Sequence, residues 1–116
     1  GTTHADYCPG EVPITESLSE DEVAGDYEKN TGRVIVRRFQ QLSPVAFPGV
    51  LVAQHGPFAW GKEVEDAVTS AATLEEIARM AFHTLALNAD TRDLPPWLLQ
   101  RHYERKHGPD AYYGQG

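Results

Sequence analysis

The chain has 116 residues, enough for one domain built on one core. A net charge of −7 argues against general binding to nucleic acid or to an anionic membrane, and no apolar run approaches the ~20 residues of a membrane span. With 41% apolar and 23% charged residues the composition is that of a soluble protein, and the one cysteine, Cys8, excludes an intrachain disulfide and fits a reducing, cytoplasmic setting.

The chain starts "GTTHADY", with no initiator Met and no basic and apolar regions of a secretory signal. The expectation is a processed chain, a leading remnant, or the later part of a longer protein. Residues 1–18 read as loop, broken by Pro9-Gly10 and Pro13, with a short extended piece at 11–15. "SEDE" at 19–22 reads as a capping box, in which Ser19 caps a helix and Glu22 reaches back. That helix is expected to run to about Lys29 and to stop at Asn30-Thr31-Gly32. "RVIVRRFQQL" is read as a second helix, although Val34-Ile35-Val36 also suits a strand.

Pro48-Gly49 marks a turn before Val50-Leu51-Val52-Ala53, a continuous apolar run of the kind found in a strand buried on both faces. "HGPFAWG" follows as loop. The longest helix is predicted from about Lys62 to Asn88. Its stripe is Val64, Ala67, Val68, Ala71, Leu74, Ala78, Ala81, Phe82 and Leu85, and its first turn is acidic. A last helix is predicted from about Leu94 to His107, with Asp93 as a possible cap and Gly108-Pro109 as its stop. Two strands make a marginal sheet, so the pattern predicts an incomplete one, to be finished by further sequence or by partner chains.

None of the five histidines forms an HExxH or an i,i+4 pair. His83 reads as solvated surface. His107 reads as a cation at a helix end. His102 follows Leu98 by four residues and so lies on the inner stripe, the place of a hydrogen-bonded core histidine. His55 sits where a buried strand gives way to a Gly-Pro loop, a position at which open sheets gather ligands. One histidine cannot make a zinc site, which needs about three protein ligands. Asp6 lies outside any expected helix start; a turn-forming aspartate and a general base look alike there. "RHYERKHG" is a basic island that could favour a phosphorylated substrate, but helix-end cations explain it more simply.

Four stretches taken together resemble a known family: "GTTHADY" at 1–7, "GDYEKNTG" at 25–32, "PGVLVAQHGPFAWGK" at 48–62 and "RHYERKHGPDAYYGQG" at 101–116. In order and spacing they are similar to the second half of the L-ribulose-5-phosphate 4-epimerases, within the class II aldolase/epimerase family. The tail is the more specific part, and Arg101 stands where its pattern has Lys.

The resemblance implies an α/β fold, a three-layer α/β/α sandwich around a mostly antiparallel sheet. Only the C-terminal part of that single domain would lie in residues 1–116. It implies a cyclic homotetramer with active sites between subunits, a small phosphorylated sugar as substrate, and zinc held by three histidines. His55 matches one ligand, and an HxH in preceding sequence would supply the other two. Asp6 and Tyr113 match the acid/base pair, with the tyrosine reaching in from a neighbouring subunit, and Glu28 and His102 match supporting positions.

The implied chemistry interconverts L-ribulose 5-phosphate and D-xylulose 5-phosphate. The C3–C4 bond breaks in a retro-aldol step assisted by the metal, the aldehyde fragment rotates, and the bond reforms. Each face of that fragment needs its own proton donor or acceptor, hence a carboxylate and a phenol. Because this chain holds no HxH, it is expected to be inactive alone. Two other readings are a catalytically silent module that oligomerises and a class II sugar-phosphate aldolase; the epimerase-like tail counts against the second.

Overall fold

The computed structural model describes residues 1–114. They form helices α1 (Thr2–Tyr7), α2 (Glu20–Ala24), α3 (Tyr27–Arg38), α4 (Val64–Leu87) and α5 (Pro96–His107), and strands β1 (Gly49–Val52) and β2 (Gly56–Ala59). The chain divides into two compact units: Val12–Ala71, and Gly1–Glu11 together with the chain from Ala72 onward.

In the first unit, β1 and β2 form an antiparallel hairpin that pairs Gly49 with Ala59 and Val52 with Gly56. The strand expected at 50–53 is thus present, but "HGPFAWG" is not all loop: Gly56–Ala59 turns back as β2. The turn between them places Gln54 at φ +61 and Gly56 at φ +142, the latter a conformation open to glycine and little else. On its other edge β1 meets the segment before α2. The Leu51 amide donates to the Pro13 carbonyl (2.8 Å), and the Thr15 amide donates to the Leu51 carbonyl (2.9 Å). The extended piece expected at 11–15 is therefore a short parallel bridge of Ile14 to Leu51. Buried Thr15 adds its hydroxyl, which accepts from the Ala53 amide (3.1 Å) and donates to the Glu16 carbonyl (2.8 Å).

The Ser19–Glu22 capping box forms in both directions. Helix α2 then ends at Gly25, earlier than Lys29, and α3 runs through the expected stop at Asn30-Thr31-Gly32. The polar side chains explain the difference. Asn30 donates to the Glu22 carbonyl (2.8 Å), and the Thr31 hydroxyl donates to the Tyr27 carbonyl (2.9 Å). Residues that usually break helices are here buried and satisfied. Val34 of α3 packs with Val50 and Val52 of β1, flanked by Leu18, Ile35, Phe39 and Trp60. Phe39 meets Trp60 edge-on at 5.2 Å, and the Trp60 indole donates to the Pro44 carbonyl (2.7 Å).

In the second unit the N-terminal residues form α1 where loop was expected. The buried side of α1 is Ala5, followed by buried Cys8 at its C-cap. Helix α5 packs on α1. It starts at Pro96, with Pro95 at the cap and no side-chain cap from Asp93; the fixed φ of proline suits a first turn. Of the α4 residues in this unit, Leu74 and Ile77 are buried, whereas Phe82 (71%) and Leu85 (54%) are exposed. The stripe read from the sequence is therefore covered only in part, and Ile77 belongs to the buried face although it was not counted in that stripe.

Candidate functional site

Asp6 sits on the last turn of α1, facing α5. Its carboxylate is mostly buried and carries three hydrogen bonds. Arg105 donates through Nε to Oδ1 (3.1 Å) and through Nη2 to Oδ2 (2.8 Å), and His102 donates through Nδ1 to Oδ1 (3.0 Å). His107 donates through Nε2 to the Asp6 backbone carbonyl (2.8 Å). His102 and Arg105 stand three residues apart on one side of α5 and both reach the Asp6 carboxylate, while His107, in the last turn, reaches the Asp6 backbone carbonyl. Burial alone would push the Asp6 carboxyl up. The hydrogen bonds and charges of Arg105 and His102 outweigh it and hold the carboxyl below its ordinary range.

The tail returns over α5. The Arg105 carbonyl accepts from the amides of Tyr112 (2.9 Å) and Tyr113 (3.1 Å). The Arg105 guanidinium lies over the Tyr113 ring at 4.1 Å, with Lys106 Nζ at 5.4 Å. Arg101 donates to the Tyr112 hydroxyl (3.2 Å). Gly114 takes φ +78, a turn suited to glycine. A cleft of about 350 Å³ opens alongside, bordered by Arg101, Arg105, Asp110 and Tyr112.

The structure thus brings together Asp6, His102 and Tyr113, with Arg105 between them. Sequence reasoning took Arg105 and His107 for helix-end cations. The expected position of His102 on the inner side of its helix is borne out, with Asp6 as its partner.

His55 and Glu28 belong to the other unit. His55 is exposed in the β1–β2 turn, 5.3 Å from the Phe58 ring, and Glu28 is exposed in the first turn of α3. Among the described residues no three His, Cys, Asp or Glu side chains gather in a way that could hold a metal ion. One exposed imidazole at a hairpin turn supplies one donor, so these residues alone do not fit a zinc centre.

A family model described as Class II Aldolase and Adducin N-terminal domain matches residues 1–82. The chain belongs to the class II aldolase and adducin N-terminal domain family. Asp6, Glu28 and His55 lie within the matched residues; His102, Arg105 and Tyr113 lie beyond them.

Among curated relatives, the L-ribulose-5-phosphate 4-epimerase UlaF of Salmonella paratyphi A (strain ATCC 9150 / SARB42) and that of Salmonella typhi are each 51% identical to it over 115 residues. The UlaF of Salmonella paratyphi C (strain RKS4594) is 50% identical. Each alignment takes in 99% of this chain and 50% of the relative, so the chain spans about half the length of the curated relatives it matches. The resemblance carried by the four sequence stretches is borne out.

Proposed function

We propose that the chain is the C-terminal part of a single class II aldolase/epimerase domain. The whole enzyme would interconvert L-ribulose 5-phosphate and D-xylulose 5-phosphate, with the three-layer sandwich and the homotetramer of that family. The identity of 51% across nearly the whole chain to proteins named as this epimerase carries the reading.

The geometry of Asp6 supports it. A carboxylate held below its ordinary range is unprotonated at neutral pH, the state a base needs before it takes a hydroxyl proton from the substrate. In this reading the Asp6 carboxylate accepts, and a Tyr113 phenol reaching in from a neighbouring subunit donates on the opposite face of the aldehyde fragment. His102 fixes the orientation of the Asp6 carboxylate. A divalent metal, zinc in this reading, would need histidines outside this sequence beside His55, and Glu28 would support the site.

The test is to read the reading frame around this sequence and assay its complete product with L-ribulose 5-phosphate and zinc. An HxH in that frame and formation of D-xylulose 5-phosphate are expected. A complete product with zinc bound and no conversion would overturn the epimerase reading.

A further inference from the structure

The geometry points to Arg105 as the residue that positions Asp6, presenting one carboxylate oxygen, Oδ2, as the atom that takes the substrate's hydroxyl proton. The inference rests on the epimerase reading for the role of Asp6, and it uses only contacts between α1 and α5 of one chain.

A carboxylate has about four acceptor sites, two on each oxygen. Among the described residues, Oδ1 accepts from Arg105 Nε (3.1 Å) and from His102 Nδ1 (3.0 Å), so both of its sites are taken. Oδ2 accepts from Arg105 Nη2 alone (2.8 Å) and keeps one site open. The side chain is 16% exposed, which leaves a small hydroxyl a line of approach.

Of these groups only Arg105 spans both oxygens. His102 bears on Oδ1, and His107 bears on the backbone carbonyl. On α1 itself, His4 is turned to the Gly10 carbonyl (2.6 Å). The two parallel bonds of a planar fork fix the plane of the carboxylate, whereas a lysine ammonium is a point donor that would leave the plane free to turn.

In the retro-aldol step the substrate O–H bond breaks and its proton forms a new O–H bond at Oδ2. The freed electron pair becomes the aldehyde C=O as C3–C4 breaks, and the C3–C4 pair stays with the ketone fragment. A carboxylate turned away from its place offers that proton a poorer path, and misplacement of this kind costs rate more than binding.

Arg105→Lys and Arg105→Ala test this in the complete protein, assayed with L-ribulose 5-phosphate and zinc. Both are expected to lower kcat by about tenfold or more, with KM changed by less than about threefold. Burial pushes the Asp6 carboxyl up and Arg105 opposes it, so the acid limb of the pH profile should move up in Arg105→Ala. It should move less in Arg105→Lys, which keeps the charge. Free guanidinium at millimolar concentration should restore part of the Arg105→Ala rate and ammonium should restore less, because only guanidinium reproduces the fork.

An unchanged kcat in Arg105→Lys would overturn the proposal, and so would the lack of any advantage of guanidinium over ammonium. If Arg105→Ala fails to fold, Arg105→Lys decides the matter alone. Failure of the epimerase reading shows differently, as absent turnover in the unsubstituted protein or an undiminished kcat in Asp6→Asn.

Discussion

The guanidinium of Arg105 closes a two-bond fork on the carboxylate of Asp6, 99 residues away in the sequence. With His102 on the same carboxylate and His107 on the same residue's carbonyl, this is the main polar fastening between α1 and α5. Removing the carboxylate strands a mostly buried arginine, since the Arg105 side chain is 22% exposed. Asp6→Asn is expected to cost about 2 kcal/mol in urea unfolding.

The same pair sets an acid-side dependence. Asp6 has a folded pKa below its ordinary value of 3.8, so its contribution to stability is complete above that value. It is lost as pH falls through the lower, folded value. The stability gap between the unsubstituted chain and Asp6→Asn should therefore narrow between about pH 5 and pH 2. Thermal melts across that range would show it, and a constant gap would contradict it.

Cys8 behaves in the opposite sense. Burial pushes its thiol up to about 11, against the partial counter-effect of a hydrogen bond to the Gly10 carbonyl. The native thiol is expected to react with a thiol reagent at pH 8 far more slowly than the urea-unfolded chain. Because the folded pKa is raised, this group's contribution is complete below the ordinary value of 9.0 and is lost as pH rises toward 11.

In the other unit, Val50 is fully buried against Val34 and Val52. Val50→Ala leaves a gap that neighbouring valines fill poorly, and about 2 kcal/mol of stability should be lost. Ser19→Ala removes one half of the capping box and should cost about 1 kcal/mol. Urea titration of each variant checks both figures.

His55 offers a way to separate stability from the proposed function. Its side chain is exposed in a turn, so His55→Ala should leave the unfolding midpoint of this chain within about 0.5 kcal/mol of the unsubstituted value. On the proposed epimerase reading, the same substitution in the complete protein is expected to lower zinc content and turnover together. The 116-residue chain alone should bind zinc weakly and convert no L-ribulose 5-phosphate, as isothermal titration and a product assay would show.

What could be read from the sequence was local. The capping box, the long helix, the last helix and the strand at Val50 each carry their signal within a few residues, in spacing or in side-chain type. The extent of α3 was misjudged because Asn30 and Thr31 found backbone partners that propensity does not record. Strand β2 was missed because Gly56 and Pro57 look like loop until Val52 and Leu51 offer something to pair with. The role expected of Asp6 came from the first matching stretch, and that of Tyr113 from the tail; neither followed from periodicity. The arginine that joins them was hidden, because a charge at a helix end has a sufficient local explanation and nothing in periodicity connects residue 105 to residue 6.

The position of Pro57 has a consequence for the outer side of the hairpin. Leu51 turns its amide and carbonyl away from β2, toward Pro13 and Thr15. Its cross-strand partner, Pro57, therefore faces the opposite way, onto the outer edge of β2. Proline has no N–H, so Ala59 is the only β2 residue that can offer a donor along that edge. A stray extended peptide would find carbonyls there but almost no donors. The hairpin is thereby a poor seed for runaway strand-on-strand growth when the chain is concentrated.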